Sequence, residues 1–244
     1  MKLVALNGHA GRHSPWRGAL VLVGEHDAPG VLLDPTGALA ARLDADPMLC
    51  QRAGLDTRVH TVVLTAARID QVAALIGLRH GATIDLYTTP AIFEDLSSSG
   101  AVLPELQRHC DVHWRMVPVA GDQARAGFQV NGQAGLQFTA VAGRAEPHGR
   151  GPAIALGLED SHSGGRAVWL RSRHRLGFGT GALLEGAGLV VVEQDELEPD
   201  PGLVAWLAGL AVPRKLLLGG TPDTDGQLAC LGIEQPHDGL EIQL

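Results

Sequence analysis

The segment Leu64-Thr65-Ala66-Ala67-Arg68-Ile69-Asp70-Gln71 closes an apolar strand and opens an amphipathic helix. A turn in that place can aim several side chains at one point. Grouped imidazoles and carboxylates there would hold a divalent ion and leave a position for water. This turn instead carries one guanidinium, one carboxylate and one amide, on Arg68, Asp70 and Gln71. Asp70 is the catalytic candidate, Arg68 and Gln71 are ligand-binding candidates, and no metal ligand is assigned. A half-buried carboxylate without a cation is costly, so a guanidinium from Arg68, Arg12, Arg150 or Arg171 is expected to pair with Asp70. The competing expectation has Arg68 facing water and Asp70 capping a helix that begins at Gln71.

Two loops add candidates. In HAGRH, His9 and His13 flank Gly11 and Arg12. A spacing of four suits a helix, but glycine and the following Ser14-Pro15 argue against one, so anion binding is favoured over a relocated metal. Trp16 just beyond is either a stacking surface for a flat ring or a core residue. The glycine-rich loop 143 to 151 holds His148 and Arg150, further ligand-binding candidates, with plain solvation the alternative for the histidine. The GFGTGALLEG segment lacks the Lys-Ser/Thr ending of a phosphate loop, and its glycines read as packing and turns. No Gly-x-Ser-x-Gly elbow occurs, which argues against a serine hydrolase.

The elements that must position these residues alternate strand and helix. Short Val/Leu/Ile-rich runs predict strands at 2 to 6, 19 to 24, 31 to 34, 61 to 65, 83 to 88, 114 to 119, 136 to 142, 153 to 159, 167 to 171, 189 to 193 and 215 to 219. Apolar spacing predicts helices at 37 to 53, 70 to 79, 102 to 109, 180 to 186 and 202 to 210. The patches 120 to 127 and 143 to 151 read as loops. Hairpins followed by strand-helix alternation, twice over, imply an αββα sandwich: two mixed sheets with helices outside, in a single domain over 1 to 244.

Composition narrows the classes. With 19 basic against 27 acidic residues the net charge is −8, and no basic block offers a surface for nucleic acid. Three distant cysteines, Cys50, Cys110 and Cys230, suit a reducing compartment better than a disulfide framework, and Cys110 and Cys230 are expected to be buried or half-buried. The start MKLVALNG lacks the pattern of a secretory leader, and no apolar run reaches about 20 residues, so a cytoplasmic protein away from membranes is expected.

The run from Thr61 to Leu106 resembles the family of coenzyme PQQ (pyrroloquinoline quinone) synthesis protein B, a branch of the metallo-β-lactamase superfamily. The resemblance rests on Leu64-Thr65, Asp70-Gln71, Leu75-Ile76-Gly77-Leu78-Arg79, Tyr87-Thr88-Thr89 and Glu94-Asp95-Leu96, and on the terminal LGIEQPHDGLEIQL. It implies the αββα fold and a role in making PQQ, by oxidising, binding or carrying PQQ or its peptide-derived precursor. The superfamily's His-x-His-x-Asp-His turn corresponds here to Ala66-x-Arg68-x-Asp70-Gln71, so only the aspartate is kept. The segment after the VWL strand, Arg171-Ser172-Arg173, offers no aspartate, and Leu218 or Gly219 stands where a histidine is expected. The family's N-terminal cysteine cluster is absent, while His148 matches the loop that supplies a third histidine. Cofactors are therefore expected to be none, with iron or zinc the alternative. The expected partner is a carboxylate-rich small molecule such as the tricarboxylate PQQ or its precursor, and a homodimer is compatible. A non-catalytic binding protein on the same fold is the other reading.

Overall fold

In the computed structural model the described residues are 1–8, 16, 18–24, 28–56, 58–78, 83–98, 102–143, 152–171, 179–194, 200–220, 223 and 225–244. In chain order the elements are β1 (Lys2–Asn7), β2 (Gly18–Val23), β3 (Val31–Leu33), α1 (Gly37–Ala45), α2 (Pro47–Arg52), β4 (Val59–Val63), α3 (Ile69–Gly77), β5 (Thr83–Thr88), α4 (Pro90–Ser98) and α5 (Val102–Leu106). There follow β6 (Val112–Met116), β7 (Arg125–Phe128), β8 (Leu136–Ala142), β9 (Ile154–Asp160), β10 (Arg166–Arg171), α6 (Thr180–Leu184), β11 (Leu189–Glu193), α7 (Pro201–Ala208), β12 (Arg214–Leu218), α8 (Gln227–Cys230) and β13 (Glu241–Gln243).

The strands form one sheet in the order β13-β1-β2-β3-β4-β5-β6 and another in the order β12-β11-β10-β9-β8-β7. Each is antiparallel on one side and parallel on the other, the parallel strands running from β3 to β6 and from β10 to β12. Between the sheets lies a core that includes Leu3, Leu20, Leu33, Val63, Phe138, Leu156, Trp169, Val191 and Leu218. The alternate residues of the same strands pack outward. Val62, Leu64 and Leu86 meet Leu39, Leu75 and Ile92 of the helices over the first sheet, and Val168, Val190 and Leu217 meet Leu183, Leu203 and Leu228 over the second. This is the αββα sandwich expected from the strand pattern, since parallel strands bury both faces and need helices on the outside.

Local chemistry sets the differences from the predicted elements. The predicted helix over 37 to 53 is two helices, because Asp46 leaves helical geometry before Pro47 and its carboxylate accepts the Leu49 N–H at 3.2 Å, capping the second. Part of the predicted loop 120 to 127 is strand: Arg125–Phe128 pairs with β8, burying only Ala126 fully, so its apolar signal is weak. Helix α4, β13 and α8 were not among the elements predicted from spacing. Cys230 is exposed rather than buried, whereas Cys50 is buried and Cys110 half-buried.

Candidate functional site

At the carboxyl ends of the parallel strands the inward-facing stripes stop being hydrocarbon. Along β10, Ala167 and Trp169 face the other sheet, and the next residue of that stripe is Arg171. Along β11, Leu189 and Val191 do the same, and the next is Glu193. The two are in register across the parallel ladder. The Arg171 guanidinium, only 2% exposed, donates to Glu193 Oε2 at 3.2 Å. A cation so deeply placed requires this kind of close partner, because unpaired it costs several kcal/mol.

Across the gap, β3 ends in Asp34, which adopts φ +46°. Aspartate tolerates this left-handed conformation better than most residues, and the twist re-aims its side chain at the strand break. The buried carboxylate accepts the Thr65 N–H at 2.7 Å, the Thr65 hydroxyl, the Gln71 Nε2–H at 2.7 Å and the Trp169 indole N–H at 3.0 Å. Burial pushes this carboxyl above its ordinary range, while the nearby Arg171 charge and the bonds from Thr65 and Trp169 pull it back. Asp34 thus ties together β3, the turn after β4, α3 and β10. Sequence reasoning passed over it as an ordinary strand end before a proline; its signal was an aspartate closing an all-apolar Val-Leu-Leu run.

The turn itself is organised locally. Arg68 is the N-cap residue of α3, so the helix starts at Ile69 and Asp70 lies inside its first turn. The expectation that Asp70 caps a helix beginning at Gln71 is therefore corrected. Half of a capping box comes from Gln71, whose Oε1 accepts the Arg68 N–H at 3.1 Å while its amide donates to Asp34. Asp70 accepts from Arg68 Nε at 3.0 Å and Nη2 at 3.5 Å, both side chains being roughly a third exposed. Its negative charge also suits the amino end of a helix. Arg171, another guanidinium considered for Asp70, goes to Glu193 instead.

Beyond the end of β12 opens a cleft of about 590 Å³, lined by Trp16, Gly219, Gly220, Asp223, Gln235 and His237 among others. That size suits a small molecule. Trp16 packs on the inter-sheet core and also lines this cleft. Asp223 is committed to structure: its carboxylate takes the Gln227, Leu228 and Ala229 N–H groups at 2.9, 3.0 and 3.2 Å. Glu234 on the same wall is held in a two-pronged pair by Arg214, at 2.8 Å on each side. That guanidinium depresses the Glu234 carboxyl. The candidates His9, Arg12, His13, His148 and Arg150 lie outside the described residues.

Comparison with known proteins bears on this geometry. No family model matches the chain. Coenzyme PQQ synthesis protein B of Nitrosococcus oceani is 28% identical over 236 residues, covering 79% of this chain and 76% of that protein. The zinc-bound PqqB structure from Methylobacterium extorquens superposes with a TM-score of 0.68 at 17% identity, covering all of both chains. The chain is a relative of coenzyme PQQ synthesis protein B. The short form of human tRNase Z superposes with a TM-score of 0.59 at 16% identity, covering 100% of this chain and 99% of that one, and extends the likeness in fold to the wider metallo-β-lactamase group. In this chain's Leu75-Ile76-Gly77-Leu78 run, Gly77 ends α3 where an added Cβ would lie 2.7 Å from the Ala40 Cβ of α1, so the helix crossing requires glycine.

The metal named in that solved structure was tested against the donors present here. Gln71 spends its amide on Asp34 and Arg68, and Asp70 is tied to Arg68. Leu218 is sealed in the inter-sheet core. Gly219 has φ +91°, and a Cβ there would come within 2.6 Å of the Gln194 carbonyl oxygen, so a histidine does not fit this backbone. Among the described residues there is no group of three or more His, Cys, Asp or Glu side chains able to hold an ion. The described donor set does not suit a divalent metal.

Proposed function

We propose that the chain acts in pyrroloquinoline quinone biosynthesis, binding PQQ or its peptide-derived precursor at the mouth of the sandwich. The observation that carries this is the 28% identity to PQQ synthesis protein B over 79% of the chain, and the shared αββα frame supports it. The cleft beside Trp16 has the volume for a fused planar ring, and the indole offers a face for stacking. Arg12, Arg150, His9, His13 and His148 are the proposed donors to its carboxylates, because guanidinium and carboxylate match in a two-pronged geometry. Arg68, Asp70 and Gln71 shape the turn at the same mouth, with Asp70 the catalytic candidate if chemistry occurs. The proposal takes the 244 residues as one domain, working in the cytoplasm without nucleic acid; no described helix is long and apolar enough to cross a membrane.

Titration of the purified chain with PQQ, followed by tryptophan fluorescence, tests the binding. Saturable quenching that weakens in Trp16→Leu is expected, and no quenching at any PQQ concentration overturns it. A second reading, a binder without catalysis, is favoured by the commitment of Arg68, Asp70 and Gln71 to one another. Oxidation of the precursor peptide by the purified chain, detected by mass shift, would decide against it.

A further inference from the structure

We infer that protein charge stands in for a divalent ion at this mouth: the Arg171 guanidinium, clamped by Glu193 and within electrostatic range of Asp34, is the fixed cation of this site. The inference rests on the relationship to PQQ synthesis protein B, which locates the mouth, and deepens it by saying how the mouth is held together.

Three independent features converge. First, the inward stripes of β10 and β11 end in opposite charges in register, so a guanidinium lies between the sheets where the stripe leads to the strand ends. Trp169, one step earlier on that stripe, already reaches Asp34 with its indole N–H, which brings Arg171 within electrostatic range of the same carboxylate. Second, each residue at a ligand position of the turn is turned to another partner. Gln71 bonds inward to Asp34 and Arg68 closes over Asp70. Third, the backbone after β12 excludes a ligand side chain at Gly219. A divalent ion at this mouth would have to compete with a guanidinium that is already desolvated and held. Its arrival would put like charges within a few ångströms in a low-dielectric setting.

The site thereby becomes independent of metal supply and of chelation. Arg171 and Glu193 join the ends of β10 and β11, and Asp34 beside them ties in the turn after β4 and α3. Arg171 and Gln71 are positioning residues in this scheme.

The test uses the whole chain, produced in medium supplemented with zinc and iron, with metal per chain measured and melting followed with chelator or added zinc. The expected result is well below one ion per chain and a melting temperature unmoved by either addition. Arg171→Ala removes the guanidinium that pairs with Glu193 and lies near Asp34, so this variant is expected to melt lower and to be raised by added zinc where the parent is not. Stoichiometric metal in the parent, lost on chelation together with a fall in melting temperature, overturns the inference. So does an Arg171→Ala variant that melts like the parent. Should that variant fail to fold, Arg171→Met/Glu193→Gln, which removes both charges at similar volume, takes its place: melting with no zinc response is expected, and a melting temperature raised by added zinc overturns the inference. Failure of PQQ binding would leave the metal results unchanged, so the two proposals fail separately.

Discussion

Two guanidinium–carboxylate pairs stand near the same mouth and differ in kind. Arg68 and Asp70 are two residues apart on one turn and about a third exposed. Arg171 and Glu193 are 22 residues apart, on adjacent strands, with the guanidinium sealed from water. The first pair is made by local chain geometry, and water already screens most of its attraction. The second exists only once the sheet has formed, and each charge has given up its hydration to be there. A similar contact distance thus describes an accessory in one place and a structural requirement in the other.

The contrast is sharpest for Arg171→Ala. Removing the buried guanidinium takes away the ion pair with Glu193 and the positive charge near Asp34, so a loss of about 3–5 kcal/mol is expected in chemical denaturation. Asp34→Asn comes next. It keeps the shape but sets an amide where four donors converge, and about 1–3 kcal/mol of destabilisation is expected by the same measurement.

A buried group without an ion pair provides a control. His60, at the start of β4, has no hydrogen-bond partner for Nδ1 among the described residues, and burial lowers its pKa from the ordinary 6.5. Below that value the unfolded chain takes up the proton more readily than the folded one, so stability falls as pH drops through this range. His60→Leu should flatten the slope of melting temperature against pH below about 6.5, whereas Arg171 variants should leave it in place. The smallest effect belongs to Arg68→Ala, expected to cost less than about 1 kcal/mol and to shrink further in high salt. A larger, salt-insensitive loss would erase the distinction between the two pairs.

The same contrast explains what could be read from the sequence. The runs Thr83–Thr88, Leu136–Ala142 and Leu189–Glu193 became strands with the predicted bounds: Leu189–Glu193 is apolar and buried on both faces nearly throughout, while Leu136–Ala142 alternates buried and more exposed residues, and both patterns mark a strand. Strand β7 is the reverse case: with Arg125 exposed and Gly127 in it, pairing to β8 rather than composition makes it a strand. At the mouth, Arg68 beside Asp70 is a neighbour relation and shows in one line of residues. The link from Asp34 to Trp169 spans 135 positions and depends on which strands lie opposite, which no spacing encodes. Only the stripe Ala167, Trp169, Arg171 carried a hint, an arginine continuing an inward period of two.

Helix α3 is pinned to α1 at its middle and its carboxyl end, since Gly37 admits Ala73 and Gly77 admits Ala40 with no room for another methyl group. The turn that opens α3 therefore has little freedom to slide or swing against the sheet. Side-chain exchange, not backbone travel, is the route open to this mouth for changing its chemistry, and even a single added carbon at Gly77 would disturb the turn from nine residues away along the same rigid rod.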